Sequence, residues 1–566
     1  MTWWYLSDLR RHKDEREALA DLALRADWFC PGDWRVDERL RLIFDADLMA
    51  GGSSYPIALR YPESFPHTPP SVLPRGSAER WSAHQYGSGG ELCLEFRADN
   101  WTPETMGFQM IESAYRLLVG ENPAPGQHAV VASAHRTSQG QDIRGKRSRL
   151  LLTRDMTILF DSLAPGETIR ANTVLQFREG GHIYVINKAT LLDGNEWSDP
   201  SVPSTLALES YEASASIMRI HEGAALPSIA TKAEFVAATS NIGCDVTTDV
   251  VVVLSDAAVR AYRLLMSDAV VELVVLPPQP AAARVGDEYA ALSGKSVAVV
   301  GCGSLGSKIA TMLARAGVAN FLLVDDDILL PDNIVRNDLD WRDVGLHKAD
   351  AVATKLRLVR PSTQTKVRRL QIGGQESATA ADSILAALAG CDLVVDATAN
   401  PAALNIISGV IASAKVPVVW AEVFAGGFGG LIARRRPGFE PTIPLMRLGI
   451  ENWFAERNTP PIRAGTDYGQ AGNGQPFIAD DADVTAIAAP AARLALDCLL
   501  DRSPSFFPYS VYVIGLSPGP VFSQPFETFP IILDPSPETS AATPLEPEDA
   551  LSEIDIIAKL FQRRDQ

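Results

Sequence analysis

Apolar and polar positions in the first part of the chain follow a helical rhythm and then a strand-like one. Residues 7–26 place leucines at helical spacing among charges. Runs such as LRLIFDADLM and YPIALRY predict strands, and PETMGFQMIESAYRLL predicts an amphipathic helix. The passage YPESFPHTPPSV is too rich in proline for a helix or a central strand, so we expect an ordered loop. Together these elements predict an α+β domain over residues 1–125.

The last part of the chain alternates short apolar strands with helices from Ser296 onward. The strands SVAVVG, NFLLVDD, KVRRLQI, DLVVDAT and VPVVWAEV are separated by helical segments such as SLGSKIATMLARAG and HKADAVATKLRLV. This alternation predicts a parallel, doubly wound α/β sheet of the Rossmann-like type. We assign it to residues 286–535. Residues 536–566 then form a tail rich in Pro, Glu and Ser that ends in a short helix.

Residues 126–285 carry the weakest pattern. HIYVIN, VVVVLS and VELVVLPP predict strands, whereas DAAVRAYRLLM predicts a helix. We find no constellation of chemical groups in this stretch and interpret it as an α/β connecting domain that closes with the linker PPQPAAAR. A chain of 566 residues is too long for one hydrophobic core, so a multidomain protein is expected.

Composition then narrows the class of function. Hydrophobic residues are 46% and charged residues 21%, the balance of an ordinary globular protein, and the net charge of -18 argues against a nucleic-acid partner. No run of about eighteen apolar residues is present, and the N-terminus becomes charged too soon for a secretory signal. We therefore expect a cytoplasmic protein that binds neither nucleic acid nor membrane.

The cysteines give no metal or disulfide signal. They are Cys30, Cys93, Cys244, Cys302, Cys391 and Cys498. Because they lie far apart and form no C-x-x-C pair, neither a zinc cluster nor a disulfide framework is indicated.

A glycine-rich turn joins the first strand and helix of the C-terminal domain. Gly301, Gly303 and Gly306, in G-C-G-S-L-G, would let a phosphate approach the backbone amides at the helix N-terminus. Asp325 ends the next strand and can accept a hydrogen bond from a ribose hydroxyl. These features predict a nucleotide site.

The residues that follow this aspartate favour ATP over a nicotinamide. A nicotinamide enzyme needs no additional acid and cations here, whereas splitting ATP into an adenylate and pyrophosphate needs cations for the leaving phosphates and a carboxylate for magnesium. The segment supplies Asp327, Asn333, Arg336 and Lys348. We therefore expect ATP and Mg²⁺ as cofactors.

This pattern closely resembles the adenylation domain of the ThiF/MoeB and ubiquitin-activating superfamily, which has G-x-G-x-x-G, D-x-D, N-x-x-R and a later lysine. The resemblance implies that Asp325 binds the ribose and that Asp327 lies close to the metal and phosphates. It also implies that Asn333, Arg336 and Lys348 bind the phosphates, with Lys348 facing the developing charge.

The chain departs from that family at a metal-binding segment. Where the family carries D-x-x-D-N, this sequence reads D-A-T-A-N, with Ala399 in place of the second acid. The resemblance then leaves Asp396 as the candidate magnesium ligand.

Cys93 lies in L-C-L, eight residues before W-T-P and downstream of the proline-rich loop. The combination resembles the ubiquitin-conjugating fold over about residues 5–125, including an N-P-A-P exit after the last helix. The resemblance implies that Cys93 carries an acyl group as a thioester. His84 aligns with the family's histidine, but Tyr86 stands where the family has the asparagine that stabilises the oxyanion. Asn100 is then a candidate amide donor.

The order of conjugating half, connecting domain and activating half resembles the fused activating-conjugating proteins of bacterial CBASS antiphage operons. The resemblance implies ATP-dependent activation of the C-terminus of a ubiquitin-like protein or of a cyclic-nucleotide synthase, thioester transfer to Cys93, and conjugation to a target lysine. It also implies a homodimer through the adenylation domain. Two alternatives remain: a sulfur-carrier-protein adenylyltransferase with a non-catalytic N-terminal module, and a binding protein with a degenerate nucleotide pocket.

Related activating enzymes pass the acyl group through a cysteine of their own, beyond the strand that corresponds to VPVVWAEV. Residues 421–497 contain no cysteine, and Asn473 stands where the fused relatives often have one. Cys498 follows in an apolar helical run, where burial disfavours the thiolate. We therefore expect direct transfer from the adenylate to Cys93.

Overall fold

The protein, described as a computed structural model, divides into two compact units, residues 1–145 and 146–566. The structure describes residues 3–76, 81–82, 84–86, 89–121, 147–221, 229–239, 247–256, 258–278, 286–375, 377–424, 426–459, 479–533 and 547–562. The expected N-P-A-P exit, Cys244, Asn473 and the predicted boundaries at residues 125, 285 and 535 lie outside these residues.

The first unit is an antiparallel sheet with helices before and after it in sequence. Its elements are α1 (Trp4–Ser7), α2 (Leu9–Arg25), β1 (Phe29–Val36), β2 (Leu42–Ala50), β3 (Ser53–Arg60), β4 (Ser71–Pro74), β5 (Gln85–Tyr86), β6 (Glu91–Leu92) and α3 (Gly107–Glu121). Strands β1 to β4 pair in sequence order. Alternate residues of β2, among them Phe44, Ala46 and Leu48, face a core shared with Leu22 of α2 and Ile111 of α3. The α+β arrangement is the one that the pattern predicts.

A buried glutamate joins three parts of this unit. Glu15 of α2 accepts hydrogen bonds from the Tyr61 hydroxyl at 2.8 Å and from the backbone N–H of Gly107 at 2.9 Å, and it pairs with Arg11 at 2.9 Å. Burial raises the pKa of Glu15. A Cβ at residue 107 would overlap the Tyr61 hydroxyl, so only glycine allows this approach. The network fixes α2, the start of the proline-rich loop and α3 against one another.

The second unit begins with a sheet that closes on itself. Its elements are β7 (Ser148–Leu151), α4 (Arg154–Ser162), β8 (Thr168–Arg178), β9 (Gly181–Thr190), β10 (Glu196–Ser198), β11 (Tyr211–Arg219), α5 (Lys232–Thr239), β12 (Val250–Leu254), β13 (Val259–Leu264) and β14 (Val270–Leu276). The strand order is β10-β9-β7-β14-β13-β12-β11-β8, and β8 also pairs with β9. Met156 and Phe160 of α4 pack into the core of this closed sheet.

The helix predicted over DAAVRAYRLLM is wrong. This segment contains β13, which pairs antiparallel with both β12 and β14. Its alanine, arginine and leucine favour a helix locally, but the two neighbouring strands bury Ala261, Tyr262 and Leu264. In its described residues the connecting region is consequently mostly β, rather than the α/β arrangement we expected.

The remainder of the second unit is a doubly wound sheet. Its elements are β15 (Ser296–Val300), α6 (Ser304–Ala316), β16 (Asn320–Val324), α7 (Lys348–Val359), β17 (Gln364–Arg368), α8 (Ala378–Ala389), β18 (Leu393–Asp396), α9 (Pro401–Ala414), β19 (Val418–Val423), β20 (Gly429–Arg435), α10 (Ile443–Glu456), α11 (Asp481–Leu499), β21 (Val511–Gly515), β22 (Thr528–Pro530) and α12 (Pro547–Gln562). The order is β17-β16-β15-β18-β19-β20-β21-β22. The first five strands are parallel, as predicted. Strands β20 to β22 extend the sheet antiparallel, which the pattern did not indicate.

The strand order of this sheet locates a crevice. The chain moves outward from β15 to β16 and β17, and then returns to the other side of β15 with β18. Loops after these strands diverge there, and ligands of open α/β sheets bind at such a point. Separate apolar clusters cover the two faces, one with α6, α7 and α11 and one with α8, α9 and α10. Among the described residues, none of the helices has the length and apolarity to cross a bilayer.

Candidate functional site

A cavity of ≈ 780 Å³ opens at the carboxyl ends of β15, β16 and β18. It brings together almost all of the nucleotide-site residues predicted from the sequence. They are Gly301, Gly303, Asp325, Asp327, Asn333, Arg336, Lys348 and Asp396. The remaining predicted residue, Gly306, does not line the cavity.

The three glycines of the turn have different roles. Gly301 has φ +86, a left-handed conformation that favours glycine, and a Cβ there would lie 3.1 Å from the backbone of Ala397. A Cβ on Gly306 would overlap the carbonyl oxygen of Gly301, so this glycine lets α6 start against β15. Gly303 is the N-cap of α6, lines the cavity and makes no side-chain capping hydrogen bond. The helix N-terminus therefore presents backbone amides to an anion.

Asp325 links the glycine turn to the next loop. Its Oδ2 accepts from the backbone N–H of Cys302 at 2.6 Å, and its Oδ1 accepts from that of Asp327 at 2.8 Å. Burial raises the pKa of Asp325. Besides lining the cavity, this carboxylate holds the two loops that form the cavity's edge.

Lys348 is the first residue of α7 and is held by Asp327. The Lys348 Nζ lies 2.7 Å from Oδ2 of Asp327, and the Lys348 backbone N–H donates to the Asp327 carbonyl at 2.9 Å. The lysine side chain is only 12% exposed, whereas that of Asp327 is 69% exposed. Asp327 thus orients the cation at the edge of the cavity, which both residues line.

Asn333 and Arg336 lie on the short 3₁₀ turn between β16 and α7. Oδ1 of Asn333 accepts from the backbone N–H of Leu330 at 3.1 Å, and its carbonyl accepts from the backbone N–H of Arg336 at 3.2 Å. The asparagine side chain therefore shapes the turn that carries Arg336 to the cavity.

Asp396 is the buried acid of the cavity, at 3% exposure. Its Oδ1 accepts from the Thr398 backbone N–H at 3.0 Å and from the Thr398 hydroxyl at 2.7 Å, and burial raises its pKa. Ala399 follows with φ +51, a left-handed conformation. Within the described parts of the chain, no group of three or more His, Cys, Asp or Glu side chains is arranged to hold a metal. Asp396 is therefore the carboxylate that this loop offers to a cation.

The wall of the cavity that lies beyond Asp396 was not predicted from the sequence. This wall is acidic and aromatic, in contrast to the glycine turn. It is formed by Trp420, Glu422 and Phe424 at the end of β19 and by Arg447, Glu451 and Phe454 of α10. The sequence could have indicated Trp420, Glu422 and Phe424, because residues at the end of a strand in a parallel sheet face the crevice. The residues of α10 carry no sequence signal of this kind.

Cys93 lies in the first unit, directly after β6. Its neighbours Leu92 and Leu94 are buried in the core, whereas Cys93 is partly exposed. The Cys93 backbone N–H donates to the carbonyl of His84 at 2.7 Å. A guanidinium nitrogen of Arg97, Nη1, lies 3.5 Å from the Cys93 sulfur. The structure thus brings the thiol beside an arginine that sequence analysis did not single out.

The other residues expected near the thiol have different contacts. The imidazole of His84 lies 3.8 Å from the Glu121 carboxylate, and Tyr86 pairs with Glu91 in the β5–β6 ladder. The amide nitrogen of Asn100 donates to the carbonyl of Glu95 at 2.7 Å. The Asn100 amide thus takes part in a local turn, and its expected role as a donor at the thiol stays a prediction.

Three further cysteines lie in environments that oppose thiolate formation. Burial raises the pKa of Cys302 well above its ordinary value, and it raises those of Cys391 and Cys498 to about 11. These cysteines fit the role of apolar filling rather than that of a nucleophile.

Residues 279–444 match the model of the ThiF family. This segment contains the glycine turn, the cations and Asp396, so the chain includes a ThiF/MoeB-type adenylation domain. Its order of strands and the position of the cavity agree with the predicted Rossmann-like fold.

Particular relatives match parts of the chain. Over 128 residues the chain is 36% identical to the ATP-dependent ubiquitin transferase-like protein Cap2 of Pseudomonas aeruginosa, covering 20% of this chain and 22% of that protein. Over 150 residues it is 29% identical to the sulfur carrier protein ThiS adenylyltransferase of Escherichia coli, covering 26% and 56%. A solved structure of E. coli MccB with ATP aligns with a TM-score of 0.34 and 17% identity, covering 44% of this chain and 68% of that chain. The chain thus matches less than two thirds of either curated relative.

Proposed function

We propose that this protein activates the C-terminal carboxylate of a ubiquitin-like protein, or of a similar protein, with ATP and then carries it as a thioester on Cys93. The observation that carries the proposal is the single cavity that collects a glycine turn, two cations and a buried aspartate. The match to the ThiF family and the names of the two curated relatives support adenylation as its chemistry.

The geometry suits ATP with its phosphates at the amino end of α6. The open amides at Gly303 attract the phosphates, Asp325 faces the ribose, and Lys348 and Arg336 stabilise the charge that develops. A carboxylate oxygen attacks the α-phosphorus. The bond to the bridging oxygen breaks, and pyrophosphate leaves with that electron pair while the acyl-adenylate remains.

The residues present fit magnesium bound through a single carboxylate and the phosphates. Asp396 lines the cavity, and among the described residues both of its hydrogen bonds go to Oδ1, which leaves Oδ2 for a cation. Mg²⁺ typically takes one or two carboxylates together with substrate phosphates. When bound, it would neutralise phosphate charge. We assign Asp396 rather than Asp327 to this role, because Asp327 is paired with Lys348.

We assign the acidic and aromatic wall of the cavity to the protein C-terminus that is activated. Glu422 and Glu451 would repel phosphates, so this side of the cavity suits the peptide better than the nucleotide. Trp420, Phe424 and Phe454 are buried and back the wall from the core. A protein C-terminus that binds along this wall would bring its terminal carboxylate to the nucleotide.

The first unit supports a conjugating role. A helix, a four-stranded antiparallel meander, a cysteine segment and a second helix follow the order expected of the ubiquitin-conjugating fold. The W-T-P segment packs onto the proline-rich loop, where Trp101 Nε1 donates to the Pro66 carbonyl at 2.7 Å. Capture of the acyl group by Cys93 gives a thioester, which yields to amines such as a target lysine.

A homodimer through the adenylation domain also belongs to the proposal. Large apolar side chains are exposed along the segment between β16 and α7. They are Ile328 (46%), Leu330 (58%), Val335 (68%), Trp341 (70%) and Leu346 (49%). A second copy would cover them, since a monomer rarely exposes such a set together. A role in bacterial antiphage defence rests on the predicted order of fused domains and on similarity to Cap2.

The test combines two measurements on the full-length protein. ATP-pyrophosphate exchange with a candidate ubiquitin-like protein or synthase C-terminus reports adenylation, and a thiol-reducible adduct reports loading. We expect Cys93→Ala to keep exchange and to lose the adduct. An adduct that persists in Cys93→Ala would contradict the assignment.

The alternative is a sulfur-carrier-protein adenylyltransferase, which is favoured by the similarity to the ThiS adenylyltransferase. In that case, Cys93→Ala would retain full sulfur-transfer activity. Absence of exchange with every carrier tested would instead favour a binding protein.

A further inference from the structure

The thiol of Cys93 lies beside Arg97, on the side of the chain that faces away from the core. Leu92 and Leu94 are each 3% exposed, which turns the intervening cysteine away from the core. On that side, Nη1 of Arg97 lies 3.5 Å from the Cys93 sulfur, within hydrogen-bond distance for sulfur. The guanidinium group is partly buried, so water does not fully screen its charge.

The backbone of this arginine is fixed by a turn. The Arg97 backbone N–H donates to Oδ1 of Asn100 at 2.7 Å, and the Arg97 carbonyl accepts from the backbone N–H of Trp101 at 2.8 Å. The Asn100 amide nitrogen donates to the carbonyl of Glu95 at 2.7 Å, which closes the turn from the other side.

Trp101 anchors this turn to the core of the first unit. The Trp101 indole packs against the apolar core and donates to the carbonyl of Pro66. Arg97 therefore starts from a fixed backbone position four residues after the thiol, and only side-chain freedom is lost when the contact forms.

The reaction proposed for Cys93 creates negative charge twice at this place. A thiolate must form first, and the attacked carbonyl then carries an oxyanion that is bonded to the same carbon as the sulfur. The family's usual asparagine donor is replaced by Tyr86, and Asn100 is engaged in its turn. A guanidinium offers several donors in one plane and keeps its proton at all relevant pH values.

We propose that Arg97 is a catalytic residue of the thioester site, where its guanidinium stabilises the Cys93 thiolate and then the oxyanion formed on it. The proposal rests on the proposed function, in which Cys93 is the acyl carrier. Asn100 is a positioning residue, because it acts through the backbone of Arg97.

The step balances without a further reactant. The thiol proton passes to water, and a sulfur lone pair attacks the carbonyl carbon of the acyl-adenylate to form the C–S bond. The carbonyl electrons move to oxygen beside Arg97. They then return as the bond to the phosphate oxygen breaks, and AMP leaves with that electron pair.

The first experiment compares alkylation of Cys93 by iodoacetate and by iodoacetamide in the full-length protein, resolved by mass spectrometry of the Cys93 peptide. A neighbouring cation favours the anionic reagent, so the wild type should prefer iodoacetate. Arg97→Ala should lower the ratio of the two rates by roughly five- to tenfold, the scale of one charge interaction at this separation in a solvated site. Arg97→Lys should retain most of it.

The matched control is Arg35→Ala, which removes another arginine of the same unit, paired with Asp45 at 2.8 Å. This variant should leave the ratio unchanged. A general loosening of the unit would change both rates together and not their ratio. An unchanged ratio in Arg97→Ala, with an unchanged melting temperature, would overturn the proposal.

The second experiment measures the rate of Cys93 loading in the presence of ATP and a carrier protein. We expect Arg97→Ala to load at least tenfold more slowly with wild-type ATP-pyrophosphate exchange, and Asn100→Ala to fall between this variant and the wild type. Wild-type loading in Arg97→Ala would reject the proposed role and leave the proposed function intact. A different outcome would reject the proposed function. In it, the ratio of the iodoacetate and iodoacetamide rates depends on Arg97, but Cys93 is never loaded with a carrier protein.

Discussion

Lys308 of α6 and Asp481 of α11 form an ion pair, in which Nζ lies 2.6 Å from Oδ1. The pair joins the helix after the glycine turn to the first residue of α11. The lysine side chain is 7% exposed and the aspartate 56%. Burial of an ammonium group without a partner is costly, so this contact holds the start of α11 against α6. Ala479 and Val484, on either side of the start of α11, line the cavity.

Asp481→Ala should therefore destabilise the adenylation domain. We expect a loss of about 1–2 kcal/mol, less than for a fully buried pair, because water screens the exposed carboxylate. Differential scanning calorimetry should report a melting temperature that is lower by roughly 2–6 °C. Asp481→Glu, which keeps the charge, is the control and should melt close to the wild type. Wild-type melting of Asp481→Ala would show that the pair contributes nothing.

Lys348→Ala and Arg336→Ala should each reduce ATP-pyrophosphate exchange by about 10²-fold or more, because each removes a cation from the place where charge develops on the departing phosphates. The matched control is Arg342→Ala, which lies on the same loop and whose side chain is 63% exposed. It should exchange at the wild-type rate. If all three variants behave alike, the first two cations are ordinary surface charges.

Asp396→Asn should raise the magnesium concentration needed for half-maximal exchange, since it removes the carboxylate that the metal would share with the phosphates. Asp327→Asn should lower the maximal rate without changing that concentration, because it releases Lys348 and not the metal. A magnesium titration of both variants distinguishes the two acids. The opposite result would transfer the metal to Asp327.

Cys498→Ser should load Cys93 at the wild-type rate. Burial raises the pKa of Cys498 to about 11, so little thiolate forms at neutral pH and the adenylate has no efficient acceptor there. The measurement is the thiol-reducible adduct on Cys93, with exchange as the control for adenylation. Loss of the adduct with normal exchange would mean that Cys498 is an intermediate carrier.

Trp341→Asp should weaken self-association through the adenylation domain, because it places a charge on the exposed apolar segment between β16 and α7. Phe439→Asp is a control of nearly equal exposure, 71% against 70%, elsewhere in the same unit. Light scattering after size-exclusion chromatography should give the smaller mass for the Trp341 variant alone. A monomeric wild type would contradict the proposed homodimer.

The nucleotide site was predictable because most of its residues lie close together in the sequence. Gly301 to Lys348 form one stretch of chain, and the strand-turn-helix pattern fixes where each residue stands relative to the sheet. Arg447 and Glu451 reach the same cavity from α10, which only the folded sheet brings near. Arg97 gave no signal because an arginine four residues after a cysteine looks like any surface charge. Its role emerges from a turn held by side chains, which no periodicity reveals.

The left-handed backbone at Ala399 has a consequence for which side chain suits this position. An alanine in this conformation carries strain of about 1 kcal/mol, whereas aspartate and asparagine adopt it more readily. Aspartate is also the residue that the related adenylation domains carry there. Ala399→Asp would then relieve backbone strain while it adds a second carboxylate close to Asp396. The backbone at this position therefore favours an acid or amide side chain, even though the chain carries an alanine there.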